Sequence, residues 1–409
     1  MNQMKEILQT LKIIEDRNLY PDIAIVDGGI SSSPEFYVSG RKVLSFCSGN
    51  YLGLANNDSI KTAITEGLRK YGIHPSGSVL ISGTLEIHKK LERDMANFFG
   101  FEDSMIFATS TMANMGVIPA IVNSPFKTLF SFFKLSFGIK EATIFSDEYN
   151  HATVVEGIKL AKTDKQIYRH CDMEDLENKL KKCKSRRKMI LTDGIFSMDG
   201  DIAPLPNIVS LAEKYDAIVF IDDAHATGVL GEHGRGTIEH FHLDNKIDFL
   251  VTTFSKAFGV VGGLVAAKKE IIKYLRVTAK TYIFSGAFLP SLATGILQAL
   301  ELLKNDKQRR FKLWENTNYL KKGLNDLGFN TLKSETPIVP ILIGDENVSI
   351  QMARDLYQEG VLAPPIRWPA VEHGKSRMRF TLTPEYTKEQ IDFLLKKLQY
   401  IGTKYKIIK

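Results

Sequence analysis

The segment Thr252-Thr253-Phe254-Ser255-Lys256-Ala257-Phe258-Gly259 places a lysine just past an apolar run at residues 249–251, ahead of Gly262-Gly263. A lysine at a strand end is usually a solvated surface charge. One held among small residues after a buried strand loses solvation and can act as an amine nucleophile. A second group, Asp222-Asp223-Ala224-His225, follows the apolar run 217–221. Such an acidic pair can simply cap the next helix. Alternatively, Asp222 is a buried carboxylate able to hold a protonated ring nitrogen, with His225 placed to donate to a phenolate. A pyridinium with a carboxylate partner and a Schiff-base lysine are what pyridoxal 5'-phosphate (PLP) chemistry requires. Two more polar segments follow apolar runs: Thr192-Asp193-Gly194-Ile195-Phe196-Ser197-Met198-Asp199-Gly200, and Asn150-His151 beyond Asp147.

These groups share a position because of the elements that carry them. Residues 105–108, 143–145, 189–191, 217–221 and 249–251 are short apolar runs, rich in Ile, Val, Leu and Phe, that end in polar or turn residues. Buried parallel strands look like this. Between two of them Ile208, Leu211, Ala212 and Tyr215 recur with helical spacing, and Met173, Leu176 and Leu180 repeat the pattern. Strands alternating with helices predict an α/β fold with a doubly wound, mostly parallel sheet. Ligands of such sheets lie beyond the carboxyl ends of the strands, where all four polar groups fall. Residues 338–343 read as a strand, and Ile391, Leu394, Leu395 and Leu398 mark a last helix. The expected organisation is an N-terminal arm (1–45), a large domain (46–289) and a smaller C-terminal α+β domain (290–409).

Composition excludes several other classes. With 409 residues, 44% hydrophobic and 24% charged, the chain has the balance of a soluble globular protein. Lys plus Arg (53) against Asp plus Glu (47) leaves +6, too little for a nucleic-acid binder. Cys47, Cys171 and Cys183 lack CxxC spacing, which argues for reduced thiols and against a zinc site, so no metal is expected. Charged residues interrupt the first 20 positions, so no signal peptide is expected, and no 18-residue apolar stretch long enough to span a membrane occurs in the sequence. A cytoplasmic location is expected.

Taken together, Lys256 in TTFSKAFG, Asp222 and His225 in DDAHATGVLGEHGRG, TDGIFSMDGD and SDEYNHAT resemble the α-oxoamine synthases. The resemblance runs over residues 50–382, from NYLGLAN to SRMRFTL. It implies the aspartate-aminotransferase fold (fold type I), PLP as cofactor, and decarboxylative condensation of a small amino acid with an acyl-CoA or acyl-carrier thioester by a homodimer. Lys256 would form the Schiff base and move protons at Cα, and Asp222 would pair with the pyridine nitrogen. His151 would stack on the ring, with His225 and Ser197 on its oxygen side. Thr253 and the backbone N–H groups of Ser110, Thr111 and Met112 would hold the phosphate, which needs only a helix N-terminus. Ser285 would reach it across the dimer interface. Arg379 would bind the amino-acid carboxylate with its planar fork, and Asn50 and Tyr71 would line the substrate site.

The chain also departs from the family pattern. Ser110 and Thr111 replace Gly and an aromatic, Val79 replaces an Arg, Gly49 an Asn and Tyr386 a His. These changes bear on acyl and amino-acid specificity rather than on pyridoxal chemistry. TDGIFSMDGD and PPIRWPAV resemble the branch that joins pimeloyl thioester to alanine; ETPIVPILI and LWENTNY resemble the long-acyl, serine-using branch. Acetyl with glycine ranks third. A longer segment than the family's carries Phe126, Phe130, Phe133 and Phe137 at helical spacing. They would form a packing helix or, less simply, a surface for an acyl chain, a carrier or a membrane. A non-catalytic scaffold subunit would typically lack the lysine, and a plain aminotransferase would use no thioester.

Overall fold

The computed structural model describes residues 2–17, 20, 24–29, 33–123 and 142–409. The Phe126–Phe137 stripe expected from sequence lies outside the described residues. Seven strands form one sheet in the order Asp103–Phe107, Gly263–Ala267, Phe249–Thr253, Ala217–Asp222, Arg187–Asp193, Ala142–Asp147 and Asp164–Tyr168. Gly263–Ala267 runs antiparallel to both neighbours, and the last five run parallel to one another. Apolar side chains alternate between faces because the strand period is two. Ile190, Phe145 and Leu250 join the core on one face; Met189, Leu191, Ile144 and Val251 join the core on the other. Helices Met173–Lys182 and Leu205–Tyr215 bury Leu176, Leu180, Ile208 and Ala212 on the first side. Helices Ser110–Val122 and Ala152–Ala161 bury Val117, Ile118, Val154 and Ile158 on the second. The result is a mostly parallel sheet between two layers of helices.

Strands Ile338–Gly344, Ser376–Thr381 and Pro365–Ile366 form a separate antiparallel sheet with helices Glu346–Gln358 and Lys388–Lys404 nearby. Near the N-terminus, Val26–Asp27, Glu35–Val38 and Arg41–Ser45 pair antiparallel, and Val361–Leu362 adds in parallel to Arg41–Ser45. The Phe46 N–H donates to the Leu362 carbonyl (3.0 Å), and the Thr381 N–H donates to the Phe46 carbonyl (2.7 Å). The chain therefore enters the site through residues 46–51 already fastened to the C-terminal strands. Tyr386, where the family has His, stacks on Phe46 (4.5 Å, 3°) and donates to the Ser45 carbonyl. It closes this joint as a core residue.

Two strands of the seven-stranded sheet escaped the sequence reading. Asp164–Tyr168 is an edge strand with mostly exposed side chains, so its sequence lacks an apolar run. Gly263–Ala267 is fully buried but consists largely of Gly and Ala, poor strand formers on propensity. The strand read at 249–251 extends through Thr253, so Thr252 and Thr253 belong to the sheet.

Candidate active site

All five parallel strands but the edge one deliver polar residues at the same end. After Thr253 the chain turns tightly: Phe254 N–H donates to Gly262 O (2.9 Å), Val260 N–H to Phe254 O (3.0 Å) and Gly259 N–H to Lys256 O (3.1 Å). Gly259 has φ +68°, and a Cβ there would lie 2.5 Å from the Ala55 backbone nitrogen. The turn thus presses Lys256 against the segment 48–55, where a Cβ on Gly49 would lie 3.5 Å from Lys256 Cγ. Burial lowers the Lys256 amine below its ordinary value, with Asp222 and Asp193 opposing and Arg379 assisting. A neutral amine is the form able to attack carbon or take a proton.

Asp222, buried at the end of its strand, accepts from Asn114 Nδ2 at 2.6 Å and from the Ala224 N–H at 3.1 Å. The second bond is the local cap expected of an acidic pair; the first comes from another helix altogether. Asn114 Nδ2 also donates to Thr153 Oγ1 (3.0 Å), which lies 2.8 Å from His151 Nδ1. Asp222, Asn114, Thr153 and His151 form one connected row. His151 caps helix Ala152–Ala161, and its N–H donates to the Asp193 carboxyl at 3.2 and 3.3 Å. Although the His151 ring is exposed on one side, surrounding protein lowers its basicity; Asp222 opposes this and Lys256 adds to it. Buried Asp193 is held well above the carboxylate range, first by burial and then by the charge of Asp222.

His225 Nδ1 lies 2.7 Å from the hydroxyl of Tyr51. Burial, then Lys256, Arg379 and His151, hold His225 well below its usual value, so the ring is neutral. Burial raises the Tyr51 phenol and keeps its proton in place. That proton needs an acceptor inside the protein, and His225 Nδ1 supplies it. The ring proton then sits on Nε2.

Ser197 is buried in a turn whose Ile195 and Ile202 pair as a bridge. Its carbonyl accepts from Arg379 Nη1 at 2.8 Å, which brings the C-terminal strand Ser376–Thr381 to the site. Arg377, two residues earlier, is already paired with Asp199 and the Lys375 carbonyl. Thr253 Oγ1 lies 2.8 Å from Ser255 Oγ and donates to Gly262 O (3.1 Å). Helix Ser110–Val122 begins beside it: a Cβ on Gly263 would stand 2.3 Å from the Ser110 nitrogen. Thr109 Oγ1 caps the Met112 N–H (3.2 Å), leaving Ser110 and Thr111 as the first-turn donors without an intrahelical partner.

Three further residues expected at the site have partners of their own within the chain. Asn50 closes its own turn by accepting from Ala55 N–H (3.0 Å), while its neighbour Tyr51 makes the contact with His225. Tyr71 donates to Glu86 (2.9 Å) and carries Lys70 over its ring. Ser285 donates to Thr281 O (2.7 Å) beside the exposed Phe284. Tyr51, Thr153 and Asp193 stand inside motifs read from the sequence, which assigns them no role, and Asn114 stands outside those motifs. Asn114 left a trace in the sequence, as a polar residue one turn after Ser110 in an otherwise apolar helix. A cavity of about 660 Å³ lined by Tyr20, Tyr357 and Arg367 contains none of these side chains.

A family model described as aminotransferase class I and II matches residues 41–398. The 8-amino-7-oxononanoate synthase of Thermosipho melanesiensis is 43% identical over 372 residues, 91% of each chain. That of Thermoanaerobacter pseudethanolicus is 42% identical over 407 residues, 99% of this chain and 98% of its own. Among solved structures, a serine palmitoyltransferase from S. paucimobilis with a bound PLP–myriocin aldimine matches with TM-score 0.89 and 27% identity, covering 100% of this chain and 99% of that one. An 8-amino-7-oxononanoate synthase from Francisella tularensis matches with TM-score 0.75 and 26% identity, over 90% and 99%.

Proposed function

Because the chain belongs to the aminotransferase class I and II family, in its α-oxoamine synthase branch, we propose that it is a PLP-dependent C-acyltransferase of the 8-amino-7-oxononanoate synthase type. It joins alanine to the acyl carbon of a pimeloyl thioester, breaking the C–S bond and releasing the thiol together with CO2. The observation that carries this reading is 42–43% identity to two 8-amino-7-oxononanoate synthases over 91–99% of the chain, in a fold that sets Lys256 against Gly49 and bonds Asp222 to Asn114 at the same strand-end edge.

The residues suit the cofactor. Asp222 has a buried oxygen bonded by one amide donor, Asn114, whose own Oδ1 is buried without a partner. The Ser110 and Thr111 N–H groups with the Thr253 and Ser255 hydroxyls supply donors for a phosphate. Bound PLP supplies an aldehyde for an amine and a ring that accepts electrons. Asp222 would face the ring nitrogen and His151 the ring itself. Arg379 holds the amino-acid carboxylate with the donors that Ser197 leaves free. Lys256 Nζ, its basicity lowered by burial, would take the proton from the amino-acid Cα. His225 Nε2–H donates to oxygen on its side of the site, where negative charge develops.

A second reading, a long-acyl enzyme using serine, is favoured by the TM-scores (0.89 against 0.75). Shape at 26–27% identity reports the fold, whereas identity above 40% over nearly the whole chain weighs on substrate. CoA release measured with alanine, serine and glycine against thioesters of graded length decides. Alanine with pimeloyl thioester should react fastest; preference for serine with a long acyl chain would replace the first reading with the second.

The active form is a homodimer in the cytoplasm. Ile73, Leu80, Ile81 and Phe284 are 54–86% exposed, and Gly286, next to Ser285, bridges to Ser78, next to Val79. A second copy would cover this apolar patch and bring Ser285 to its phosphate site. Sedimentation should give twice the chain mass, and Ile81→Asp with Phe284→Asp should halve it.

A further inference from the structure

His170 belongs to neither the site nor the motifs above, yet it stands between two of the segments that build the site. It follows the edge strand Asp164–Tyr168, and its ring is about one-fifth exposed. Nδ1 lies 3.0 Å from Asp147 Oδ1, and Nε2 lies 2.7 Å from Asp201 Oδ2. Tyr149 stacks on the ring (4.4 Å, 24°), and Phe196 meets it edge-on (4.4 Å, 89°). The backbone is pinned as well: the His170 N–H donates to Glu148 (2.7 Å) and the Cys171 N–H to Asp147 Oδ2 (2.9 Å).

Only an imidazolium donates from both nitrogens. Burial opposes that charge, but the hydrogen bonds to Asp147 and Asp201 outweigh it and push the ring up to about 12. Asp147, His170 and Cys171 are close enough to share a metal ion. The ring's own proton occupies the place such an ion would need at Nδ1.

The two carboxylates lead into the site. Asp147 precedes His151 by four residues and accepts from the Tyr149 N–H (2.9 Å). Asp201 closes the Ser197 turn, its carbonyl accepting from the Phe196 N–H (3.1 Å). That turn takes Arg379 on the Ser197 carbonyl and Arg377 on Asp199. Asp201 is buried, and its Oδ1 has no hydrogen-bond partner. The Cys171 thiol also reaches Asp201 Oδ2, at 4.0 Å, so among the described residues His170, at 2.7 Å, is the short charged partner of this carboxylate.

Resting on the functional reading above, we propose that His170 is a positioning residue: its doubly donating ring ties the segment bearing His151 to the turn bearing Ser197, and so sets Arg379 relative to the cofactor. It touches neither substrate nor cofactor. A Gln at this place can satisfy one carboxylate at a time, which frees the turn from the strand end while the sheet remains paired.

The test uses His170→Gln and Asp201→Asn holoenzymes without any thioester. Three quantities are read: the thermal midpoint, the visible circular dichroism induced in bound PLP, and the dissociation constant of L-alanine with L-serine alongside. Both variants should keep a cofactor that borohydride fixes to Lys256. Both should show weaker induced dichroism and roughly tenfold weaker amino-acid binding. Lower midpoints with unchanged dichroism and unchanged amino-acid binding would overturn the proposal and leave His170 a structural tie. If His170→Gln does not fold, Asp201→Asn decides by the same two readouts. A wrong acyl-transfer assignment would appear separately, as absent CoA release by the unaltered protein.

Discussion

At the scale of single residues, the proposed site would have its protonation states set before substrate arrives. Lys256 and His225 are both pushed toward neutrality, chiefly by burial, and Asp193 is pushed toward its acid form. Tyr51 adds direction to this. By donating to His225 Nδ1 it leaves the ring proton on Nε2. Tyr51→Phe removes the donor and leaves a buried nitrogen without its partner, a loss of about 1–3 kcal/mol. Turnover should fall roughly ten- to a hundredfold, with cofactor affinity little changed. Steady-state kinetics beside a PLP titration checks this; turnover equal to that of the unaltered protein would mean that the tautomer is set by something else.

At the scale of elements, parallel strands bring chemistry to one edge, and tight turns aim it. The Lys256 turn depends on Gly259, whose left-handed backbone costs roughly 1–3 kcal/mol for a residue with a side chain. Its Cβ would also meet backbone at Ala55, which cannot rotate aside as a side chain can. Gly259→Ala should therefore lower the thermal midpoint by several degrees and slow borohydride fixation of PLP at Lys256. A normal midpoint with slow fixation would locate the effect in aim alone. Helix Ser110–Val122 serves the same end twice, through its N-terminal N–H groups and through Asn114 one turn later. Asn114→Ala should leave the fold standing but weaken PLP binding, because the Asp222 carboxylate loses its 2.6 Å donor.

At the scale of the whole molecule, the buried ionisable groups give stability a slope with pH. Burial raises Asp223 to about 7, against Thr237, whose N–H and hydroxyl both donate to it. Between its ordinary value and 7 the folded chain binds more protons than the unfolded one, so this group's contribution falls as pH rises. His170 acts in the same sense higher up: its contribution is complete below the ordinary histidine value and is lost as pH climbs toward about 12. Thermal midpoints should decline from pH 6 to pH 9. The decline should be shallower in His170→Gln, and an equal slope in both proteins would remove His170 from this account.

Much of this organisation is written locally. Residues 143–145, 189–191, 217–221 and 249–251 are apolar enough to be buried on both faces, which makes them parallel strands. Parallel strands place their carboxyl ends on one edge, so His151, Ser197, Asp222, His225 and Lys256 had to lie near one another. The sequence by itself determined that neighbourhood, because burial and period are properties of consecutive residues. It did not determine the partners. Tyr51 meets His225 across 174 positions, Asn114 meets Asp222 across 108, and Arg379 meets Ser197 across 182. Asp164–Tyr168 became a strand only by pairing with Ala142–Asp147, and Gly263–Ala267 only by lying between two other strands. A polar side chain carries no mark of the distant group it will bond. The tertiary structure chose those pairs, because a buried polar group must be satisfied by whatever the folded chain brings within reach.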